Sequence, residues 1–129
     1  MNRSDLDNRL RELGIYSDFY YRKELKALMQ VMGEYEQLNC VLTGVHEGNR
    51  KLVAVTDRRI LILFTPFGGG DMKVIRRESV KDWRFEKRFL FSTLTIETNG
   101  GASLTFTNTQ GKLKDLFRWA MEQPIPAAE

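Results

Sequence analysis

The stretch Leu52-Val53-Ala54-Val55-Thr56-Asp57-Arg58-Arg59-Ile60-Leu61-Ile62-Leu63-Phe64-Thr65 decides the fold. Two aliphatic runs flank a polar turn, Thr56-Asp57-Arg58-Arg59. Each run has the length of a strand and is rich in Val, Ile and Leu. Lys51–Thr56 and Ile60–Thr65 therefore read as a hairpin. The second run is apolar at successive positions, so it belongs at the centre of a sheet with both faces covered.

Working outward, short strand-like runs continue. Leu38–Val45 is a strand, joined to the hairpin by the turn Glu47-Gly48-Asn49. Downstream, Pro66-Phe67-Gly68-Gly69-Gly70-Asp71 is a flexible connection. Met72–Arg77, Val80–Lys87, Phe91–Thr98 and Ala102–Thr107 follow as strands, with Asn99-Gly100 the strongest hairpin signal. That makes seven short antiparallel strands.

The two ends read as helices. Ser4 caps a short helix with Leu6, Leu10 and Leu13 on one face, closed by Gly14. Ser17 caps a second, whose stripe is Tyr21, Leu25, Leu28 and Met32, ending at Gly33. After the strands, Asn108 or Thr109 caps a last helix. Leu113, Leu116, Phe117, Ala120 and Met121 form its apolar stripe, and Pro124 and Pro126 end it. The N-terminal stripe either docks on the sheet of its own chain or pairs with a second copy.

Composition bounds the rest. The 129 residues are 42% hydrophobic and 29% charged, which fits one folded unit and excludes a disordered chain. The single cysteine, Cys40, excludes an internal disulfide and a cysteine-based zinc site, and the single histidine, His46, excludes a His-rich metal site. No apolar run approaches the ~20 residues that span a bilayer, and Met1-Asn2-Arg3-Ser4-Asp5 lacks a signal-peptide character. A cytoplasmic location is expected. The net charge is +3, and the excess sits in the middle, where residues 66–88 carry seven basic and four acidic side chains. Such a balance permits anionic partners without demanding them.

Seven antiparallel strands followed by one docking helix resembles the pleckstrin-homology (PH) fold. The detail resembles the YokE-like bacterial PH domains over roughly residues 17–123. The residues that carry the likeness are Gly33-Glu34-Tyr35-Glu36, Leu52–Leu61 with its Thr-Asp-Arg-Arg turn, and Asp82-Trp83-Arg84-Phe85-Glu86-Lys87-Arg88-Phe89-Leu90-Phe91. The resemblance implies a mainly β (α+β) domain, a barrel or sandwich with a C-terminal capping helix. It also implies a binding module for phosphorylated lipids, peptides or protein surfaces. Lipid-binding relatives carry Lys and Arg in the first two strands and their loop. Here the first strand has none, and only Arg50 and Lys51 follow. Residues 1–33 read as an N-terminal helical pair, 34–123 as the PH-like domain and 124–129 as a tail.

Catalysis has little to build on. His46 sits at a strand end as an exposed spacer, and Cys40 reads as a small buried hydrophobe. Gly68-Gly69-Gly70 lacks the following Lys-Ser and the helix of a phosphate cradle. No catalytic residue, cofactor, metal or small-molecule substrate is expected.

The binding candidates are basic or aromatic. Lys73, Arg76 and Arg77 have few acids nearby, whereas Asp82, Arg84, Glu86 and Arg88 neutralise one another on one strand face. Arg58 and Arg59 are turn residues and candidates for a contact role. Phe67 either wedges into a surface or closes one end of the barrel. Phe89 and Phe91 are core or contact. Trp119, off the helix stripe, either seals an edge or anchors an interface. The expected function is a non-enzymatic adaptor that recognises a protein partner or assembles with itself, strand addition at an open edge being one route. Attachment to anionic membranes through Lys73, Arg76, Arg77 and Phe67 is the alternative. Nucleic acid lacks the interleaved aromatic platform that single-strand binders use.

Overall fold

The computed structural model describes residues 1–66, 70–89 and 91–126. Three short helices come first: α1 (Arg3–Glu12), α2 (Tyr16–Phe19) and α3 (Glu24–Val31). Asn2, not Ser4, caps α1. Its Oδ1 accepts from the Asp5 amide at 2.8 Å, and the Asp5 carboxylate accepts the Asn2 N–H in return. Ser4 also has an acid three residues on, but Ser4 lies inside α1, and that acid, Asp7, pairs with Arg3 at 2.9 Å instead. Gly14 closes the helix at φ +76°, a left-handed conformation that suits glycine.

The expected second helix is two pieces. On one continuous helix Phe19 would lie about 120° from Leu25, at 100° per residue. The break lets Phe19 enter the core with Leu25 and Leu28, while Tyr21 stays 65% exposed. Burying Phe19 outweighs helix continuity. The chain then leaves α3 at Met32 in extended conformation, so Gly33 does not serve as a left-handed cap.

Seven strands follow: β1 (Leu38–His46), β2 (Asn49–Thr56), β3 (Arg59–Phe64), β4 (Asp71–Arg76), β5 (Val80–Lys87), β6 (Ser92–Thr98) and β7 (Ser103–Thr109). All pairs are antiparallel, in the order β4-β3-β2-β1-β7-β6-β5. The four-stranded and three-stranded parts meet at one rung, Val45 opposite Thr107. The sheet does not close into a barrel. Among the described residues β4 pairs only with β3 and β5 only with β6, so both edges are free.

Two turns differ from expectation in detail. β1 and β2 are joined by Glu47 and Gly48 at φ +53° and +80°, the twin left-handed residues of a two-residue hairpin. Asn99–Ala102 is instead a four-residue loop in which Gly101, not Gly100, takes the positive φ. Asn99 is held aside, its N–H donating to the Ser79 carbonyl at 2.8 Å.

A 3-10 turn (Gly111–Leu113) leads into α4 (Lys114–Glu122). β7 extends through Asn108 and Thr109, so neither caps the helix. Phe117 and Ala120 are fully buried, Leu113 nearly so, and the Phe117 ring meets Trp83 edge-on at 5.0 Å.

One core runs from Leu6 to Ala120. α4 packs against β1 and β2, and α3 packs against β3. The N-terminal helices therefore dock on their own chain. Two covered faces explain why β1 is buried at seven successive positions and why Ile60–Leu63 are all buried. Among the described residues no helix is long and apolar enough to cross a membrane.

Candidate functional site

The Thr56–Arg59 turn organises one end of the sheet. Thr56 Oγ1 accepts the Arg58 and Arg59 amides at 3.1 and 2.9 Å, fixing the turn by a local side-chain bond. The same hydroxyl donates to Glu36 Oε2 at 2.6 Å. Arg59 then grips Glu36 with two parallel bonds, Nε to Oε2 at 2.9 Å and Nη2 to Oε1 at 3.0 Å. The Gly33 amide completes the set at 3.0 Å. Burial pushes the Glu36 carboxyl up, yet the bonds from Arg59, Thr56 and Gly33 and the Arg59 charge outweigh it. The net result lies below its ordinary 4.5. Arg59 is thereby a clip between the α3–β1 link and the hairpin.

Around this clip lies a groove of about 680 Å³, lined by Tyr35, Arg58, Arg76, Glu78, Ile125 and Pro126. Arg58 is exposed, Tyr35 is 83% exposed, and Arg76 meets only the exposed Glu78. A second groove of about 560 Å³ lies between α3 and β4, lined by Lys23, Lys26, Ala27, Val31, Leu63 and Met72. Met72, Val74 and Arg76 share one face of β4 by strand alternation. The first of them lines the α3 groove and the last lines the Tyr35 groove. One free edge thus runs from one groove to the other.

The basic candidates are split by this geometry. Arg58, Arg59 and Arg76 meet at the Tyr35 groove. Lys73 lies toward the opposite end of β4, with His46, Glu47, Lys51 and Asp71. Arg77 is buried. Its guanidinium donates to the carbonyls of Asp57, Met121 and Gln123 at 3.2, 2.7 and 2.8 Å. Burial pulls its pKa down, partly opposed by the Asp57 charge. Arg77 ties the end of α4 to the sheet, and Lys73, Arg76 and Arg77 do not form one patch. Trp119 is 41% exposed beside Arg9, Gln37 and Pro124, outside both grooves. Phe67 lies outside the described residues.

Sequence reading missed the two grooves. Their walls come from α3, the Gly33–Glu36 link and β4, which only the fold brings together. The one local signal was alternation in Met72-Lys73-Val74-Ile75, where two of three apolar side chains stay exposed. Phe89 and Phe91 are exposed, at 100% and 58%, and are not core residues.

Among the described residues no three His, Cys, Asp or Glu side chains cluster to hold a metal. Cys40 is fully buried, and burial pushes its thiol far above its ordinary value. It is a core side chain rather than a nucleophile.

A crystal structure of a DUF1696 family protein with a pleckstrin-homology domain, from Shewanella loihica PV-4, has a similar fold. The TM-score is 0.51 at 15% identity, over 74% of this chain and 91% of that one. No curated protein matches. Residues 32–120 match the family described as bacterial PH domain, from the end of α3 through the body of α4. PH-like domains commonly mediate protein or lipid interactions and are generally not enzymes. With seven antiparallel strands, a docked C-terminal helix and that match across two-thirds of its length, the chain belongs to the bacterial PH domain family.

Proposed function

We propose that the chain is a non-catalytic adaptor that recognises an extended segment of a protein partner, which adds to the sheet along β4. The observation that carries this reading is the free edge of β4, flanked on one face by the α3 groove at Met72 and the Tyr35 groove at Arg76. An added strand makes main-chain bonds to the edge, and its alternate side chains drop toward the grooves. Lys23 and Lys26 beside Asp71, and Arg58 beside Glu34, favour a segment that mixes apolar residues with charges of both signs. The motifs around Thr56–Arg59 and Asp82–Phe91 support assignment to the YokE-like branch.

The test is affinity capture from a native lysate with the wild type, Val74→Glu and Trp119→Ala, with detergent-treated and nuclease-treated arms. Val74 is 42% exposed, so the change leaves the core intact. One protein recovered by wild type and Trp119→Ala, and lost with Val74→Glu, is the expected result. Equal recovery by all three overturns the β4 edge. Loss only in detergent replaces a protein partner with membrane.

A further inference from the structure

The other edge, β5, carries a pattern that β4 lacks. Asp82, Arg84, Glu86 and Arg88 share one face, all exposed, with signs that alternate along the strand. The Arg88 amide donates to the Phe91 carbonyl at 3.0 Å, toward β6. By alternation the main-chain groups of Trp83, Phe85 and Lys87 point away from β6. Trp83 shows this directly: its N–H donates to the carboxylate of its own neighbour, Asp82, at 2.8 Å. The edge is thus main chain without a strand partner.

We propose that β5 pairs with β5 of a second copy, antiparallel, about a two-fold axis at Phe85. In that register Arg84 faces Glu86 of the other copy and Asp82 faces Arg88. Symmetry doubles both, giving four opposite-charge pairs on one face. Shifting the register by two places sets Arg84 against Arg84, or Glu86 against Glu86. Larger shifts retain only two complementary pairs within the strand. In-register parallel pairing sets like against like at every position, and a shifted parallel pair has no two-fold axis and leaves edges open. Charge complementarity therefore selects one geometry.

The same register accounts for Phe89, which is 100% exposed at the chain reversal between Arg88 and Phe91. Hairpin reversals ordinarily use Gly, Asn, Asp or Pro, and Arg88-Phe89-Leu90-Phe91 has none. In the paired form Phe89, just beyond the end of β5, lies toward the Lys81–Trp83 end of the second copy's strand, so apolar surface is covered there. Trp83 exchanges the Asp82 carboxylate for the Lys87 carbonyl of the other copy, which frees Asp82 to face Arg88. The existing pairs Arg84–Glu97 at 3.6 Å and Arg88–Glu86 at 3.2 Å are exposed, so little opposes their rearrangement. This inference is independent of the β4 reading, because the two edges lie at opposite ends of the strand order.

The test is the mass in solution, by light scattering and sedimentation across the micromolar range, of the full chain and two charge reversals. Arg84→Glu sets two carboxylates against each other in both symmetry-related pairs, and Glu86→Arg sets two guanidinium groups against each other in the same places. Each reversal alone is expected to weaken the dimer roughly thirtyfold or more. Mixing the two variants restores it, since both acidic positions of one chain then face both basic positions of the other. A wild type that stays monomeric, or a dimer that survives either reversal, overturns the proposal. So does a monomer that binds anionic phospholipid vesicles through Phe89, which assigns the exposed ring to lipid instead.

Discussion

Arg59 holds Glu36 across 23 residues of sequence with two bonds of 2.9 and 3.0 Å, and only 3% of the Glu36 side chain is exposed. A carboxylate so deeply placed persists because Arg59, the Thr56 hydroxyl and the Gly33 amide all donate to it. Removing one partner strands the other. Arg59→Ala and Glu36→Ala are each expected to cost about 3 kcal/mol, read as a lower urea midpoint at unchanged slope. Arg59→Lys should recover little, because an ammonium cannot replace the two-pronged fork. A Lys variant as stable as wild type argues against the bidentate clip.

The same clip sets a pH dependence. The Glu36 pKa lies below its ordinary 4.5 in the folded chain, so the unfolded chain takes up a proton first as pH falls. Its contribution is complete above about 4.5 and is lost as pH drops through the folded value. Unfolding free energy should therefore fall with acidification in that window, and fall less steeply in Glu36→Gln. Identical slopes for the two proteins remove Glu36 as the cause.

What the sequence reveals about this fold follows from how local each cause is. β1, β2 and β3 are covered on both faces, so Leu38–Phe64 is legible from its short aliphatic runs between polar turns. The α2–α3 break is not, because it rests on Phe19 finding a place under distant strands. Arg77 is the clearest failure. Its place in the chain reads as the exposed end of a basic strand, yet its acceptors Met121 and Gln123 are 44 and 46 residues away. The candidate site suffers likewise. Arg58 and Arg76 are recognisable as exposed cations, but their shared groove with Tyr35 depends on which strand ends meet. An edge strand is a property of sheet order, and nothing within Asp71–Arg76 says that β4 has a neighbour on one side only.

Arg77 separates structural from surface cations in one measurement. Arg77→Met keeps bulk but leaves the three carbonyls without their charged donor, and the end of α4 loosens. We expect a loss of about 2 kcal/mol. Arg58→Ala and Arg76→Ala, which remove exposed side chains, should stay within about 0.5 kcal/mol. Thermal unfolding of the three variants checks the order. Comparable losses at all three positions contradict the assignment of Arg77 as the tie between α4 and the sheet.

Gly44 tests the crossing of β1 and β7, next to the single rung that joins the two parts of the sheet. A Cβ at this position would lie 2.8 Å from Phe106 Cβ and 2.8 Å from Thr109 Cγ2. Phe106 is fully buried and its Cβ is fixed to the β7 backbone, so it cannot swing aside as a long side-chain tip would. Thr109 is also buried, which closes the other way out. Gly44→Ala must therefore spread β1 from β7. The same change in a strand interior ordinarily stabilises by reducing the freedom of the unfolded chain. Overpacking reverses that sign here, and we expect a loss of about 1–3 kcal/mol. Gly100→Ala, with open space around it and no positive φ, provides the contrast and should be neutral or slightly stabilising. Chemical denaturation of the pair decides the matter: a Gly44→Ala protein as stable as wild type means that β1 and β7 do not approach this closely in solution.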